Sequence, residues 1–323
     1  MTDIATIRDA ARVLDGHVRR TPLLNDPALD EIAGRRLWVK AECLQHTGSF
    51  KARGAWYALA RLAEDARRRG VVAFSSGNHA QGVARAARAF GAPAVIIMPA
   101  DAPKTKIANT RALGAEVVLY DRASEDRDLI GAELSRSRGL TLVKPFDDVH
   151  VIAGQGTTGL EIAEQAREAG ITRADVAVCC GGGGLTSGIA VALAAEAPGL
   201  TVHPVEPEGF DDVTRSLAHG QILRNTRRAG SVCDAILTEA PGALTFPLMA
   251  AHCGPGVVVS DAECLRAMAL AMARLNLVVE PGGAAGLAAA LFHPDAFSGS
   301  DVIAVATGGN VDRPMIERAL AAA

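Results

Sequence analysis

Short apolar runs that end in glycine or polar residues recur along this chain, and a helical stretch follows each of them. The runs are rich in Val and Ile, which favours β-strands, and the stretches between them space apolar residues three and four positions apart, which favours helices. Strands that alternate with helices build parallel sheets covered by helices on both faces. The sequence therefore predicts an α/β fold, with runs that begin near residues 71, 92, 115, 174, 200 and 301.

The order of these runs divides the chain into two lobes. The units over 71–145 form a compact set, which PFDDVHVIAGQG closes before the pattern resumes. We expect a small substrate-closing lobe at 71–145 and a large cofactor-binding lobe that joins 1–70 to 146–323, each a mostly parallel sheet flanked by helices. Ligands of such sheets bind beyond the carboxyl ends of the strands. Glycine or polar turns stand at four of those ends: SSGN, GGGG, EPEGFDD and TGGN.

Charge and composition narrow the choice of partners. The 33 basic and 36 acidic side chains give a formal charge of -3, which leaves no basic surplus for a nucleic-acid backbone. No apolar run is long enough to span a membrane, and the N-terminus lacks the pattern of an export signal. The six cysteines form no C-x-x-C pair. We expect a cytoplasmic protein with reduced thiols that binds a small molecule and neither nucleic acid nor membrane.

Two glycine-rich segments predict different roles, one in ligand binding and one in helix capping. GGGG at 181–184 stands between a strand and a helix, so its backbone N–H groups form a helix N-terminus that favours a phosphate. GQGTTG at 154–159 has the spelling of a dinucleotide fingerprint, but a poor strand precedes it and Asp175 begins the next strand instead of ending it. We expect this second segment to cap the helix that follows it.

Lysine is scarce in this chain, and Lys51 has an unusual setting. The chain holds five lysines, of which Lys51 lies in a turn of small residues, TGSFKARGA, that opens a helix. An amine near a helix N-terminus in a dry cleft is shifted toward its neutral, nucleophilic form. We predict that Lys51 forms a Schiff base; an ordinary solvated lysine is the alternative interpretation.

Five motifs, in this order and spacing, resemble the fold-type II pyridoxal-phosphate enzymes over nearly the whole chain: TGSFKARGA, SSGNHAQG, GGGG, VEP and TGGN. That group includes threonine/serine dehydratases, serine racemase, threonine synthase and cysteine synthase. PFDDVHVIAGQGT, PVEPEGFDD and VVEPGGAAGLAA favour the threonine/serine dehydratase and serine racemase branch. The resemblance implies a fold similar to the tryptophan synthase beta subunit, with pyridoxal 5'-phosphate in the cleft between the lobes.

The resemblance also implies which residues contact the cofactor. Lys51 would carry it, Phe50 would pack against the pyridine ring, and Asn78 would bond the phenolic oxygen. Thr307, where the family often has serine, would face the pyridine nitrogen. Its neutral hydroxyl does not keep that nitrogen protonated, which favours elimination over transamination. Further contacts are implied for Gly181, Gly182, Gly183, Gly184, Leu185 and Glu280.

The segment SSGNHAQG carries the predictions for substrate. Its backbone N–H groups stand at the start of a helix and can receive a carboxylate, although plain capping of that helix is an alternative. Ser76 matches the serine that supplies a proton in the racemase, on the ring face opposite the lysine. Arg127 matches a racemase arginine that closes over the carboxylate, although it lies in a charged run. The other predicted substrate contacts are Ser75, Gly77, Asn78, His79 and Asp234.

PVEPEGFDD predicts a site for a structural Mg²⁺ or Ca²⁺. The matching positions in racemase-like relatives are the carboxylates of Glu206 and Asp212 and the main-chain carbonyl of Phe210. The turn between them could gather the oxygen ligands that these hard cations require. A solvated acidic turn that caps the next helix is the alternative.

These assignments predict a dehydratase that converts a 3-hydroxy amino acid, L-threonine or L-serine, to a 2-oxo acid and ammonia, in a homodimer or homotetramer. Asp234 would border the substrate, but Ala235 replaces the glycine of the A-D-G pattern of many dehydratases. A 3-hydroxyaspartate or hydroxyectoine-pathway dehydratase, serine racemase and a nonenzymatic pyridoxal-phosphate-binding protein therefore stay open. The chain ends soon after its last strand, so we expect no regulatory domain and no end-product control.

Overall fold

Two sheets form the framework of the fold. The computed structural model describes residues 2–75, 77–102, 104–121, 124–227 and 229–322. Within these ranges the strands are β1 (Leu23–Asn25), β2 (Arg36–Lys40), β3 (Val71–Phe74), β4 (Ala94–Pro99), β5 (Glu116–Tyr120), β6 (Thr141–Leu142), β7 (Ala174–Cys179), β8 (Leu200–Pro207), β9 (Val257–Val259) and β10 (Asp301–Val305).

The larger sheet has the strand order β1-β2-β10-β7-β8-β9, and the smaller sheet has the order β5-β4-β3-β6. Neighbouring strands are parallel, except that β1 runs antiparallel to β2. The smaller sheet is built within 71–142, and the larger sheet takes its strands from both sides of that segment. The predicted α/β fold with two mostly parallel sheets is confirmed.

Helices connect these strands and cover the sheets. They are α1 (Ile4–Leu14), α2 (Pro27–Ala33), α3 (Lys51–Ala60), α4 (Glu64–Arg69), α5 (Asn78–Ala89), α6 (Lys104–Ala112), α7 (Arg127–Arg138), α8 (Val149–Glu168), α9 (Gly184–Glu196), α10 (Asp212–His219), α11 (Thr245–His252), α12 (Asp261–Leu275), α13 (Pro281–Phe292) and α14 (Arg313–Ala321). None of these helices, within the part of the chain that the structure describes, is long and apolar enough to cross a bilayer.

Both faces of the larger sheet are buried in apolar clusters. Along β7, Val176 and Val178 belong to one cluster, whereas Ala177 and Cys179 belong to the other. Successive side chains of a strand point to opposite faces, so a strand covered on both sides needs apolar residues at every position. This arrangement explains why the central strands read as unbroken apolar runs in the sequence.

The expectation that GQGTTG caps a helix is wrong. The segment lies inside α8, which begins at Val149 and is capped by the Asp148 carboxylate. Its glycines serve close packing between helices, because a Cβ on Gly154 would lie 2.6 Å from the Cα of Gly54 in α3. A Cβ on Gly156 would likewise lie 3.0 Å from the carbonyl oxygen of Gly188 in α9. The segment therefore brings three helices together and binds no dinucleotide phosphate.

Candidate active site

A cavity of about 470 Å³ opens at the carboxyl ends of β3, β7 and β10, between the two sheets. Its size is that of a site for a cofactor and a small substrate. Apart from Ser76, which lies outside the described residues, every residue that the sequence predicts to contact cofactor or substrate lines this cavity. They are Phe50, Lys51, Ser75, Gly77, Asn78, His79, Arg127, Gly181, Gly182, Gly183, Gly184, Leu185, Asp234, Glu280 and Thr307.

Lys51 is the first residue of α3, and its amine lies in the cavity. The Nζ atom donates a hydrogen bond to the carbonyl oxygen of Pro145 at 2.7 Å, and it lies 5.0 Å from the centroid of the Phe50 ring. Burial lowers the pKa of the Lys51 amine to about 8. A larger fraction of this amine is therefore neutral near pH 7 than of an exposed lysine, and a neutral amine can act as nucleophile or base.

The glycine loop after β7 ends at the N-terminus of α9. Gly183 has a φ of 89°, a conformation that favours glycine, and a Cβ on Gly182 would overlap the Phe146 ring. Glycine at these positions is therefore required by the backbone and by packing. Because no described side chain caps α9, the N–H groups of its first turn are left for a ligand to satisfy. An anionic group fits this end of the cavity.

A second loop, at 241–245, supports the glycine loop, and the sequence assigned it no role. The Thr245 hydroxyl donates to the Gly182 carbonyl oxygen at 2.6 Å, and the Gly242 N–H donates to the same oxygen at 3.1 Å. Asp147 holds this second loop, since its carboxylate accepts the N–H of Leu244 at 2.7 Å. The sequence signal for Asp147 was the pair of aspartates that follows Pro145 and Phe146. Asp148 caps α8, so the carboxylate of Asp147 can accept a hydrogen bond from the second loop instead.

Thr307 follows β10 and is almost fully buried. Its main chain is tied to the segment that carries the lysine, because the Phe50 N–H donates to the Thr307 carbonyl oxygen at 3.1 Å. Its side chain lies beside the Cys179 thiol, whose pKa burial raises to about 11. Thr307 therefore brings a neutral hydroxyl, beside a neutral thiol, to the wall of the cavity.

Two residues from the part of the chain that builds the larger sheet hold the side chain of Asn78. Its amide nitrogen donates to the Glu280 carboxyl group, and its amide oxygen accepts from Asn310 at 2.7 Å. Burial raises the pKa of Glu280 to about 7, against the opposing charge of Lys106 and the hydrogen bond from Asn78. The contact joins the start of α5 to the start of α13, across the boundary between the two sheets.

The loop before α5 is held by hydrogen bonds within the protein. The Ser75 hydroxyl accepts the N–H of Gly77 at 3.1 Å. The His79 ring donates from Nε2 to the Val143 carbonyl oxygen at 2.9 Å. Burial, followed by the nearby charge of Lys51, lowers the pKa of His79 to about 3, so the ring is neutral at pH 7. The side chain of His79 thus braces the loop and carries no charge of its own.

Lys106, in α6, also lines the cavity, although the sequence analysis did not select it. Its Nζ atom lies 3.7 Å from a carboxylate oxygen of Asp234, and a Cβ on Gly77 would lie 3.8 Å from the same Nζ. Arg127 stands at the rim, with its guanidinium 5.1 Å from the centroid of the Phe74 ring. The scarcity of lysine, which drew attention to Lys51, was the signal that could have identified Lys106.

Glu206, Phe210 and Asp212 lie away from this cavity. Both oxygens of Glu206 accept main-chain N–H groups, of Val213 at 2.9 Å and of Thr214 at 2.7 Å, so this carboxylate caps α10. Burial raises the pKa of Glu206 to about 8 and that of Asp212 to about 7. Within the described ranges, no group of three or more His, Cys, Asp or Glu side chains is placed to hold a metal ion, so any cation here would have two carboxylate ligands and would need other oxygen ligands.

The cavity fits pyridoxal phosphate. An amine that is partly neutral at pH 7, an uncapped helix N-terminus and a neutral hydroxyl stand around one space of suitable volume. These are the groups that an aldehyde, a phosphate and an aromatic ring nitrogen require. The fold and the site together define a two-lobed α/β enzyme class that uses an aldehyde cofactor.

Comparison with known proteins agrees with this class. Residues 14–308 match the family described as pyridoxal-phosphate dependent enzyme. The chain therefore belongs to the pyridoxal-phosphate-dependent enzymes, and its neighbours among solved structures place it in fold-type II.

Individual relatives cover nearly the whole chain. It is 44% identical to L-threo-3-hydroxyaspartate ammonia-lyase of Pseudomonas sp, over 94% of this chain and 93% of that protein. It is 41% identical to L-threonine ammonia-lyase of Thermotoga maritima, over 98% of this chain and 78% of that protein. The structure of maize serine racemase superposes with a TM-score of 0.92 at 34% identity, covering 99% of this chain and 97% of the maize chain.

Proposed function

We propose that this protein is an ammonia-lyase that converts a 3-hydroxy amino acid, L-threonine or L-serine, to a 2-oxo acid and ammonia. The observation that carries the proposal is the partly neutral Lys51 amine, in one cavity with an uncapped helix N-terminus and the Thr307 hydroxyl. The similarity to L-threonine ammonia-lyase supports the same reaction class.

Each wall of the cavity has a part in this reaction. Bound pyridoxal phosphate would withdraw electrons from the substrate α-carbon and so stabilise negative charge there. The glycine loop and the first turn of α9 would hold the phosphate, and the N–H groups of the first turn of α5, which no described side chain caps, would hold the substrate carboxylate. Lys51 would then remove the α-proton as general base. The Cβ–O bond breaks, the hydroxyl leaves as water after gaining a proton, and the released enamine takes up water to give the 2-oxo acid and ammonia.

Thr307 favours elimination over the competing reactions. A neutral hydroxyl at the ring nitrogen cannot keep that nitrogen protonated as an aspartate would, which limits how long negative charge can be stored. Loss of the β-hydroxyl removes that charge from the α-carbon in the next step. Burial of Thr307 and the raised pKa of the adjacent Cys179 thiol keep this end of the cavity uncharged.

A 3-hydroxyaspartate is the second candidate substrate, favoured by the 44% identity to L-threo-3-hydroxyaspartate ammonia-lyase. The deciding experiment measures 2-oxo acid and ammonia release from the L and D forms of threonine, serine and 3-hydroxyaspartate. The same assay follows inversion of serine, which serine racemase activity would show. We expect turnover with L-threonine or L-serine and none with Lys51→Ala. Bound cofactor without any turnover would instead support a nonenzymatic binding protein.

We also propose that Glu206, the Phe210 carbonyl and Asp212 bind a structural Mg²⁺ or Ca²⁺. One oxygen of Asp212 is buried and has no hydrogen-bond partner among the described residues, as a position left for a cation would. A cation that binds the folded state raises its stability. Chelator should therefore lower the melting temperature of the wild-type protein, and Mg²⁺ or Ca²⁺ should restore it.

Two variants distinguish the binding of this cation from the role of Glu206 as a helix cap. Glu206→Ala should melt at a lower temperature that no longer responds to chelator, whereas Asp211→Ala should keep the wild-type response. If chelation leaves the melting temperature of the wild-type protein unchanged, the proposed cation site is wrong and Glu206 acts as a helix cap.

The lobe boundaries and the assembly are further proposals. A small lobe at 71–145 that closes on a large lobe at 1–70 and 146–323 predicts that substrate protects the connections near residues 70 and 145 from proteolysis.

A homodimer or homotetramer predicts a mass, measured by light scattering, that is two or four times that of the chain. The proposed cytoplasmic location is tested by cell fractionation.

A further inference from the structure

Four charged side chains form a buried network behind the first turn of α3, outside the cavity. The side chains of Lys40, Glu42 and Arg53 are fully buried, and that of Glu161 is 16% exposed. Two cations and two anions balance in charge. An apolar set of similar volume is often as stable as a buried ion network or more so, so stability alone does not account for charges here.

Arg53 is the centre of this network. Its Nε and Nη2 atoms donate to the two oxygens of Glu42 at 2.8 and 2.7 Å. Its Nη1 and Nη2 atoms donate to the two oxygens of Glu161 at 2.7 and 3.0 Å. The planar fork of a guanidinium, held by two carboxylates, fixes orientation as well as distance. Lys40 completes the set, with its Nζ 2.5 Å from Glu161.

The network ties α3 to its two supports. Glu42 follows β2, and Glu161 lies in α8. The next residue, Gly54, donates its N–H to the Gln155 side chain of α8 at 3.3 Å. No described side chain caps α3, because its N-cap residue is Phe50. Contacts of Arg53 and Gly54 therefore hold the first turn of α3 on one side, and the Phe50 N–H holds it to Thr307 on the other.

That turn begins with Lys51. Residues two apart in a helix are about 200° apart around its axis, so the side chains of Lys51 and Arg53 leave α3 on nearly opposite sides. One reaches the cavity and the other the network. A shift of the turn moves the Lys51 amine directly, and a displacement near 1 Å at a reacting group can lower a rate about 100-fold.

We propose that Arg53, clamped by Glu42 and Glu161, is a positioning residue that sets the place of the Lys51 amine in the cavity. This inference rests on the proposed role of Lys51 as base. Under this proposal, catalysis by Lys51 requires the planar shape of the Arg53 guanidinium as well as its positive charge.

Arg53→Lys tests the proposal, because it keeps the charge and loses the fork. We expect kcat to fall by about 100-fold with KM nearly unchanged, since the loss acts on the reacting group and not on substrate binding. The visible absorption of the bound cofactor should change its maximum or its pH titration, because the attached amine has moved. The measurement uses holoenzyme, with rates given per molecule of bound cofactor.

Asp175→Asn is the matched control, because the buried Asp175 carboxylate is hydrogen-bonded to His203 at 3.0 Å at the far end of β7. It should lower the melting temperature and leave kcat and the spectrum unchanged. If Arg53→Lys behaves in the same way, the network is structural and the proposal is wrong.

A second variant covers the case in which Arg53→Lys does not fold. Glu161→Gln keeps the Glu42 half of the clamp, and it should lower kcat in the same direction by a smaller factor. Wild-type values would overturn the proposal. Borohydride reduction of the wild-type holoenzyme separates this result from the proposed function, because a failure to label Lys51 would reject the role of the lysine itself.

Discussion

At the scale of single residues, the chemistry depends on how burial changes Lys51. Its pKa of about 8 means that the amine loses its proton as the pH rises through 8. The side chain of lysine in a model peptide does so near pH 10.4. In the enzyme freed of cofactor, Lys51 should therefore react with an acylating reagent with a midpoint near pH 8, more than two units below that of a lysine in a model peptide. Peptide mapping of the labelled Lys51 measures its midpoint, and a midpoint equal to that of a model peptide would contradict the effect of burial.

Ser76 carries a prediction that comes from the sequence, since it lies outside the described residues. Elimination needs the α-proton to be removed on the Lys51 face, whereas inversion also needs a proton donor on the opposite face. Ser76→Ala should therefore lower any racemase activity much more than dehydration of an L substrate. Comparison of the two rates in one preparation checks this, and equal losses would assign Ser76 to substrate positioning.

The residue-level predictions depended on local context, which explains what they missed. Lys51, the glycine loop and Thr307 stand in or beside turns whose composition already indicates a ligand. The signals for Lys106 and Asp147, a scarce residue type and an acidic pair, are weaker, because the place of these residues in the cavity depends on how α6 and the loop at 241–245 pack. Arg53 stood inside a recognised motif, but its partners come from β2 and α8, far away in the sequence.

At the scale of elements, the close contact of α3 with α8 depends on glycine. A Cβ on Gly154 would meet the Cα of Gly54 at 2.6 Å and the carbonyl oxygen of Arg53 at 2.8 Å. Gly154→Ala should force the helices apart and lower the free energy of unfolding by about 1–3 kcal/mol. Denaturant titration measures this change.

Gly131, in α7, is the matched control for that substitution. A Cβ there would meet its nearest neighbour at 3.6 Å, an ordinary contact. Gly131→Ala should leave stability unchanged or raise it by up to about 1 kcal/mol, through helix propensity. Equal effects of the two alanines would show that α3 and α8 are not close-packed at Gly154.

The elements also show where sequence patterns mislead. The central strands were predictable because burial on both faces forces apolar residues at every position. The role of GQGTTG was not predictable, because glycine serves equally to bind a phosphate, to end a helix and to let helices approach each other. Which of these uses applies is decided by the neighbours of α8, and neither α3 nor α9 is local to that segment.

At the scale of the whole molecule, Lys106 and Asp234 lie on opposite sides of the cavity, because Lys106 belongs to the segment that builds the smaller sheet and Asp234 to the part of the chain that builds the larger sheet. Their side chains are 16% and 61% exposed, so the pair is worth at most about 1 kcal/mol. Lys106→Ala should raise KM by up to about fivefold, because closure over substrate loses that contact, and should leave kcat little changed.

Lys104→Ala provides the control on the same helix, because Lys104 is exposed and does not line the cavity. It should keep the wild-type KM. Steady-state kinetics at low and high salt measures the effect of both variants, since salt screens an exposed pair. A KM that Lys106→Ala leaves unchanged would mean that the pair has no part in closing the cavity.

The pairing of β2 with β10 has a consequence for how the protein is made. β2 is synthesised long before β10, which is its partner on one side in the sheet. Pairing between distant segments is slow, and an unpaired strand edge is prone to aggregation while it waits. The segment between β2 and Lys51 can therefore reach its final position only after β10 has been synthesised, so the cofactor pocket is completed late in folding.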